Sequence, residues 1–358
     1  MSGVRTEDRR SLVVYVGDIH FREKRPRRRV DNPVQAISAK IRYIVRRAIE
    51  LDAVAIVLGG DLGHSTVWST ALAGAVKRAF SGWREHCESD DALASALGEK
   101  PTVRSKRILT IVGNHDVPSY NYDHMEDTGI QACVDNGTVK ILTEPYSIGD
   151  FEFWPFHSGQ DETNALVEGT WVGPAAEEEL EFDEHGDGEI TRAYNPSRLQ
   201  VGLVHAPVGP TSNPHMKDYR TLKIPFFDVV MFADIHDPFP PTHLIPGVTV
   251  ANPGSICRWN ILDADREVQF AIIYSDGEVV YEKIPCQPKD DVFDLTGITP
   301  EEIAEAVQKS TRGYLAAVAA AALNKDEMEN RDFVRKIGEA AGFDERTIAL
   351  LMAELPVS

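Results

Sequence analysis

Cysteine is scarce in this sequence. Only Cys87, Cys133, Cys257 and Cys286 occur among 358 residues, none within a C-x-x-C pair. That excludes a zinc knuckle and a redox dithiol, and leaves reduced thiols, some of them buried, in a reducing compartment. Long apolar runs are missing as well. Nothing approaches the roughly 20 residues a membrane helix requires, and the polar stretch Met1–Arg10 contains no signal-peptide core. The expectation is an intracellular, cytoplasmic protein with no membrane partner. Cations are outnumbered, with Lys plus Arg at 37, Asp plus Glu at 56 and a net charge of −19. Such a chain does not coat nucleic acid through its overall field. There is no internal repeat.

What is present is an ordinary globular composition, 42% hydrophobic and 26% charged. The length allows one large α/β domain with a small appendage, or two modest domains. Charge is uneven along the chain. Arg22–Arg29 (REKRPRRR) holds six cations and one anion, and Glu177–Glu189 holds eight carboxylates and no Lys or Arg. A run of either sign is ordinarily a solvated loop. The piece Asp183-x-His185-x-Asp187-Gly188 has part of a calcium-loop pattern, but Tyr194 stands where such a loop needs Glu, and a calcium site is rejected there.

Five short apolar runs, Leu12–Val16, Ala53–Leu58, Ile108–Val112, Val201–Val204 and Val229–Phe232, have the length and β-branching of strands buried on both faces. Each ends in Gly, Asp, Asn or His, so polar side chains collect at the C-terminal strand ends, where open α/β sheets place their sites. Val34, Ile37, Ile41, Ile44, Val45 and Ala48 recur at helical spacing between the first two runs, which makes a β-α-β unit. Leu72, Val76, Phe80 and Trp83 repeat likewise after the second run. They read as core packing, with a homodimer face as the alternative. Phe151–Tyr194 is irregular. Val268–Tyr274 and Glu278–Ile284 read as a hairpin turning at Asp276-Gly277. A linker near Pro288–Asp294 precedes an Ala-rich helical tail that starts at Thr299-Pro300-Glu301-Glu302.

The ligand-type residues are Asp18-x-His20, Gly60-Asp61, Gly113-Asn114-His115-Asp116, His205 and Asp234-x-His236. Asp-x-His sets two side chains on one side of an extended segment, so both reach one ion. Mixed oxygen and nitrogen ligation suits Mn²⁺, Fe or Zn²⁺ better than Ca²⁺. A single Asp-x-His is weak, and a lone His after a strand is usually structural. Five elements in order, each at the end of a buried-strand pattern, are specific.

The ordered blocks GDIH, GGD, GNHD, VH and ADIH resemble those of the calcineurin-like metallophosphoesterases over roughly residues 12–260. The resemblance implies a four-layer α-β-β-α sandwich of two mixed sheets with a dinuclear centre at the C-terminal strand ends, plus a small helical C-terminal region. It places one metal on Asp18, His20, Asp61 and His236 and the other on Asp61, Asn114, His205 and residue 234, with His115 meeting the scissile phosphate. Asp234 departs from that family's usual His. A carboxylate is a harder ligand, which tilts preference from Zn²⁺ towards Mn²⁺ or Mg²⁺. Asp237 is a competing candidate.

More finely, the chain is similar to SbcD-type nucleases, in which an Asp-Leu-Phe-His block supplies a second catalytic histidine. Asp61-Leu62-Gly63-His64 matches it except at Gly63, and Asn252-Pro253-Gly254-Ser255 is a weaker mark. This implies a two-metal, Mn²⁺-dependent phosphodiesterase acting on DNA, with His115 and His64 catalytic. Arg22, Lys24, Arg25, Arg27, Arg28 and Arg29 would guide the strand, since a polyanion approaching an acidic protein needs a local cationic surface. A coiled-coil ATPase like SbcC is the implied partner, and a homodimer is a further expectation. The implied layout is a nuclease domain over 1–260, a hairpin extension that could cap the site over 261–288, and a partner-binding helical region over 289–358. A phosphomonoesterase or small-nucleotide phosphodiesterase, and a non-catalytic scaffold, are the alternatives.

Overall fold

In the computed structural model, residues 10–297 are described, apart from 101–102, 119–121, 172, 174–196, 211–215, 225 and 245–246. The acidic run Glu177–Glu189, the rejected calcium loop and the tail from Thr299 lie outside the described residues.

Twelve strands form two six-stranded mixed sheets. In the first, the order is Val279–Lys283, Gln269–Tyr274, Leu12–Val16, Ala55–Leu58, Ile108–Thr110 and Val139–Ile141. In the second it is Phe239–Leu244, Val248–Asn252, Val229–Ala233, Leu199–His205, Phe151–Phe156 and Tyr146–Ile148. The ligand-bearing strands of each sheet pair in parallel, and the antiparallel pairs lie at one edge of the first sheet and at both edges of the second. All five apolar runs are strands. Their pleat explains the layering: Val14 and Val16 face the helices while Val13 and Tyr15 face the second sheet. Val229 and Met231 meet that same inner layer, and Val230 and Phe232 turn outward to an aromatic layer with Phe156 and Phe227.

Helix α1 (Pro33–Glu50) starts where Asn32 caps Gln35 N–H and Pro33 opens the first turn; helix α2 (Thr70–Leu97) starts where Ser69 caps Leu72 N–H. The two pack on each other and on the first sheet. Leu72, Val76, Phe80 and Trp83 are buried in this layer, so they are core, and a homodimer face on them is ruled out. No described helix is long and apolar enough to cross a membrane. Cys87, Cys133 and Cys257 are buried free thiols, and Cys286 is an exposed one.

Two expectations are corrected. Gln269–Tyr274 pairs antiparallel with Leu12–Val16, so the hairpin is an integral part of the first sheet and not a capping extension beyond residue 260. Residues from Phe151 are not irregular at their start, since Phe151–Phe156 is a buried strand and Asp161–Glu168 a helix. Pro155 is tolerated because the antiparallel neighbour pairs only as far as Phe153, leaving nothing for a donor at 155 on that side.

Candidate metal centre

The candidate ligands converge where strand ends of both sheets meet. Leu12–Val16 leads to Asp18 and His20, Ala55–Leu58 to Asp61, Ile108–Thr110 to Asn114 and His115, Leu199–His205 to His205, and Val229–Ala233 to Asp234 and His236. Asp18, His20 and His236 form one group of ligand atoms within 4.8 Å of one another, and Asp18, Asp61 and His205 a second. His20 Nε2 lies 3.5 Å from Asp61 Oδ2, and His205 Nε2 lies 3.7 Å from Asp61 Oδ2 and 3.8 Å from Asp234 Oδ1. Asp61, a member of the second group, thus also reaches His20 of the first, and Asp18 is common to both. Asp234 reaches the cluster; Asp237 does not, with its side chain 88% exposed near Arg266.

The backbone is bent to make this possible. His20, Asp61 and Asp234 have φ of 51°, 48° and 87°, a left-handed conformation that non-glycine residues adopt at a cost of about 1–3 kcal/mol. Gly60 at φ 98° and Gly113 permit the approach. A Cβ on Gly113 would stand 2.1 Å from Asp61 Oδ1, and one on Gly60 would stand 2.8 Å from His205 Nδ1. The loops are fastened by Asp116, whose buried carboxylate accepts from the backbone N–H groups of Leu62, Gly63 and Gly113. His157 Nδ1 accepts from Val112 N–H at 2.9 Å beneath the GNHD turn. In the sequence, Asp116 stood in a ligand-type block without an assigned role, and His157 was not singled out at all. Asp116 was visible as the last residue of GNHD, while His157 lies in a segment with no motif.

Two divalent cations fit this set, on four observations. Three carboxylates, Asp18, Asp61 and Asp234, are gathered, and among the described residues no Lys or Arg forms an ion pair with them. Burial pushes Asp18 up to about 7 and Asp61 up to about 8, the mark of desolvated anions that a dication would compensate. Asp18 Oδ2 and His20 Nδ1 are buried without a hydrogen-bond partner. Lastly, the Asn114 amide faces only acceptors when its oxygen points inward; turned over, its nitrogen donates to Asp61 Oδ2 at 2.9 Å and to His205 Nε2 at 3.1 Å. A cation between the three relieves the inward oxygen. Two of the three imidazoles, His20 and His236, are in ligating form. Burial holds His20 well below its usual range and His236 down at about 3. His205 is raised to about 9, with burial opposing and Asp61, Asp18 and Asp234 prevailing. Its Nδ1–H donates to the Gly59 carbonyl, 2.7 Å away, which directs Nε2 towards the place a metal would take.

Beside the cluster, His64 and His115 stack with ring centroids 5.2 Å apart, 5.6 and 4.9 Å from His20. His115 Nδ1 donates to the His64 carbonyl, 2.9 Å away, and His115 N–H donates to Asp61 Oδ1. Burial, then Arg22 and His115, lowers His64 to about 3. Trp259 packs against His64 at 5.2 Å with the Arg22 guanidinium 5.0 Å from its ring. Trp259 carried no motif in the sequence. Where the expected aromatic residue is replaced by Gly63, the indole of Trp68 fills the space, 2.3 Å from where a Cβ would start.

The basic run divides. Lys24 and Arg25 are exposed, with Arg25 reaching the Val30 carbonyl, and Arg27 is exposed as well. Arg29 is buried, bound to Asp31 and to the Arg258 carbonyl at 2.6 Å. Arg28 donates to the Thr296 carbonyl at 2.7 Å. The expectation that Arg29 faces a strand is corrected: its guanidinium is consumed inside the fold.

Among solved structures, the Thermus thermophilus protein TT1561 is 10% identical with TM-score 0.38, covering 77% of this chain and all of that one. A dimetal phosphatase from Danio rerio is 11% identical with TM-score 0.39 over 78% of this chain and 97% of its own. A metallophosphoesterase from Sphaerobacter thermophilus is 11% identical with TM-score 0.29 over 97% and 100%. At these values the likeness carries no argument. No curated protein matches the chain. Residues 12–238, more than half of the sequence and all seven candidate ligands, match the Metallophos family, described as calcineurin-like phosphoesterase. With that match on a cluster of this composition, the chain belongs to the calcineurin-like phosphoesterase family.

Proposed function

We propose that this protein is a metal-dependent phosphodiesterase acting on DNA, in the manner of SbcD-type nucleases. The observation that carries the reading is the wall beside the metal cluster. His64 Nδ1, Arg22 Nε and Trp259 Nε1 are each buried without a hydrogen-bond partner, next to the His64–His115 stack. An oxygen-rich anion seated there would meet all three, and Arg22 has no carboxylate partner among the described residues to compete with it. Lys24, Arg25 and Arg27 extend the cationic surface outward along the chain.

When bound, the two cations supply charge neutralisation for the phosphorus centre and an activated nucleophile. Asp18, His20, Asp61 and His236 would hold one, and Asp61, Asn114, His205 and Asp234 the other. Mn²⁺ is the expected metal, given four oxygen donors beside three imidazoles. With Nδ1–H donating to the His64 carbonyl, His115 has Nε2 free to face the ester, where a second ring proton carried on that nitrogen would pass to the leaving oxygen. His64 borders both Arg22 and His115 and orients the ester from that side.

One observation favours a second reading, a phosphomonoesterase or small-nucleotide phosphodiesterase. With Arg29 buried and Arg28 engaged by Thr296, the cationic run is thinner than its sequence suggests. A single panel separates the two: Mn²⁺-dependent turnover of single- and double-stranded DNA, cyclic nucleotides and p-nitrophenyl phosphate. The DNA reading expects cleavage of DNA ends. Turnover confined to p-nitrophenyl phosphate or cyclic nucleotides establishes the second reading instead.

A further inference from the structure

The stretch Gln287–Thr296, a linker by its composition, is built into the fold. Val30 N–H donates to the Val292 carbonyl and Asp294 N–H to the Arg28 carbonyl, both at 2.8 Å, and Arg29 and Phe293 pair as an antiparallel bridge. Val292 and Phe293 are buried. This strap lies along the basic loop and holds it from behind.

Its inner side leads to the histidines. The Arg29 guanidinium stands 5.9 Å from the Phe293 ring and 6.0 Å from the Trp259 ring, anchored by Asp31 and by the Arg258 carbonyl. Arg258 in turn donates to the Gln287 carbonyl at the start of the strap. Trp259 then meets His64 at 5.2 Å and His20 at 5.9 Å. Because Trp259 Nε1 has no hydrogen-bond partner, no polar anchor fixes the indole. Its orientation is set by the groups packed around it, which include Arg22, Arg29, His64 and His20. A shift of the strap therefore passes through a continuous line of contacts to His64, and the indole that carries it packs closer to His64 than to the candidate ligand His20.

We infer that the strap positions His64, with Phe293 and Arg29 as positioning residues acting through Trp259. The inference rests on His64 serving the reaction, as proposed above. It does not depend on the substrate being DNA, so a small diester suffices to test it. A misplacement of a catalytic group by about 1 Å costs up to about 10²-fold in rate, and a displaced indole is a smaller disturbance.

The test is a double-mutant cycle on the full chain with Mn²⁺, using bis(p-nitrophenyl) phosphate. Phe293→Ala is expected to lower kcat about tenfold while KM and bound Mn²⁺ stay as in the parent protein. In the His64→Ala background the same substitution is expected to cost nothing further. Where Phe293→Ala does not yield folded protein, Phe293→Leu runs the same cycle with a loss of about threefold. An equal loss in both backgrounds, a loss of Mn²⁺ in step with kcat, or no loss at all would each overturn the proposal, because the strap would then be supporting the fold in general or nothing near the site. If His64→Ala alone leaves kcat unchanged, the assigned role of His64 fails at its own step, and the strap inference falls with it.

Discussion

The loops of the first sheet and the loop after Val229–Ala233 serve the cluster on unequal terms. Asp18, His20 and Asp61 are at most 2% exposed and locked to one another, with Ile19 and His20 N–H groups donating to the Asp61 carbonyl and Ser255 Oγ donating to the Asp18 carbonyl. Asp234 is 17% exposed and His236 37%. Their loop is held by three tethers: Asp234 N–H to Asp18 Oδ1, Asn252 Nδ2 to the Ile235 carbonyl, and Ser255 N–H to the His236 carbonyl. One side of the centre is pre-built and dry; the other is its mouth. Asp234 on this more open loop is also where the chain departs from the family's usual His.

The sharpest way to break this comparison is to substitute one residue on each side. Asp61→Asn removes the carboxylate placed between both ligand groups. It is expected to cost about 10³-fold or more in turnover and to release at least one metal ion per chain. Asp234→Asn keeps a neutral oxygen in place at the mouth and is expected to cost only about tenfold, with one ion held as tightly as in the parent. Turnover assays and metal analysis on the same preparations decide it. Two retained ions and full activity in Asp61→Asn would remove Asp61 from its bridging place. Equal losses in the two variants would erase the distinction between floor and mouth.

A second, smaller effect concerns the basic loop, which divides in the same way. Lys24, Arg25 and Arg27 face outward, while Arg28 and Arg29 are engaged by the strap and by Arg258. Replacing Lys24, Arg25 and Arg27 with Ala is expected to flatten the log-log salt dependence of DNA binding by about one unit per lost phosphate contact. Arg29→Ala is expected to leave the slope alone and lower thermal stability instead, since Asp31 loses its partner. Binding titrations at several salt concentrations read the first effect, and a slope unchanged by the triple substitution would leave the loop without a role in guiding DNA.

These distinctions mark where the sequence was legible. The five ligand-bearing strands could be read because each is a short β-branched run that stops at a polar residue. The strand Phe151–Phe156 could not, because Glu152 and Pro155 interrupt its apolar pattern; in the fold Glu152 is satisfied by Gln200 and Ser147, and Pro155 lies beyond its neighbour's reach. All the candidate ligands come together because their motifs sit at strand ends, whose position the sheet fixes. Trp259, His157 and Phe293 were invisible as site residues, since nothing local distinguishes a packing residue that touches a histidine from one that does not. Charge density showed the basic loop, but which of its arginines are buried depends on a strap far along the chain, at Gln287–Thr296.

The smallest expected effect tests why the first sheet is the rigid one. Helix α1 is clamped to the strand Val279–Lys283 by Glu282, whose carboxylate accepts from Arg47 Nε at 2.6 Å and Nη2 at 3.0 Å and from the Tyr43 hydroxyl at 3.0 Å. The hydrogen bonds from Arg47 hold Glu282 below its usual carboxylate range, with burial working against them and the Tyr43 hydroxyl adding to them. A carboxylate depressed in the folded state adds stability above its unfolded pKa of about 4.3 and loses it as pH falls through the lower folded value. Glu282→Gln is therefore expected to lower stability at pH 7 by about 1 kcal/mol, a fall in Tm of about 2 °C. The gap between variant and parent should narrow as pH falls below the unfolded value of about 4.3 and close once pH has passed the lower folded value, because the parent's carboxylate is then protonated too. Because the clamp lies on the outer strand of the first sheet, away from the cluster, metal content at pH 7 should not change. Melting curves of both proteins across that range, with metal analysis at pH 7, check each part. A gap that did not narrow at all as pH fell below about 4.3 would mean that Glu282 stabilises by packing and not by charge, and a loss of metal would mean that the rigidity of the first sheet reaches the ligands through this clamp.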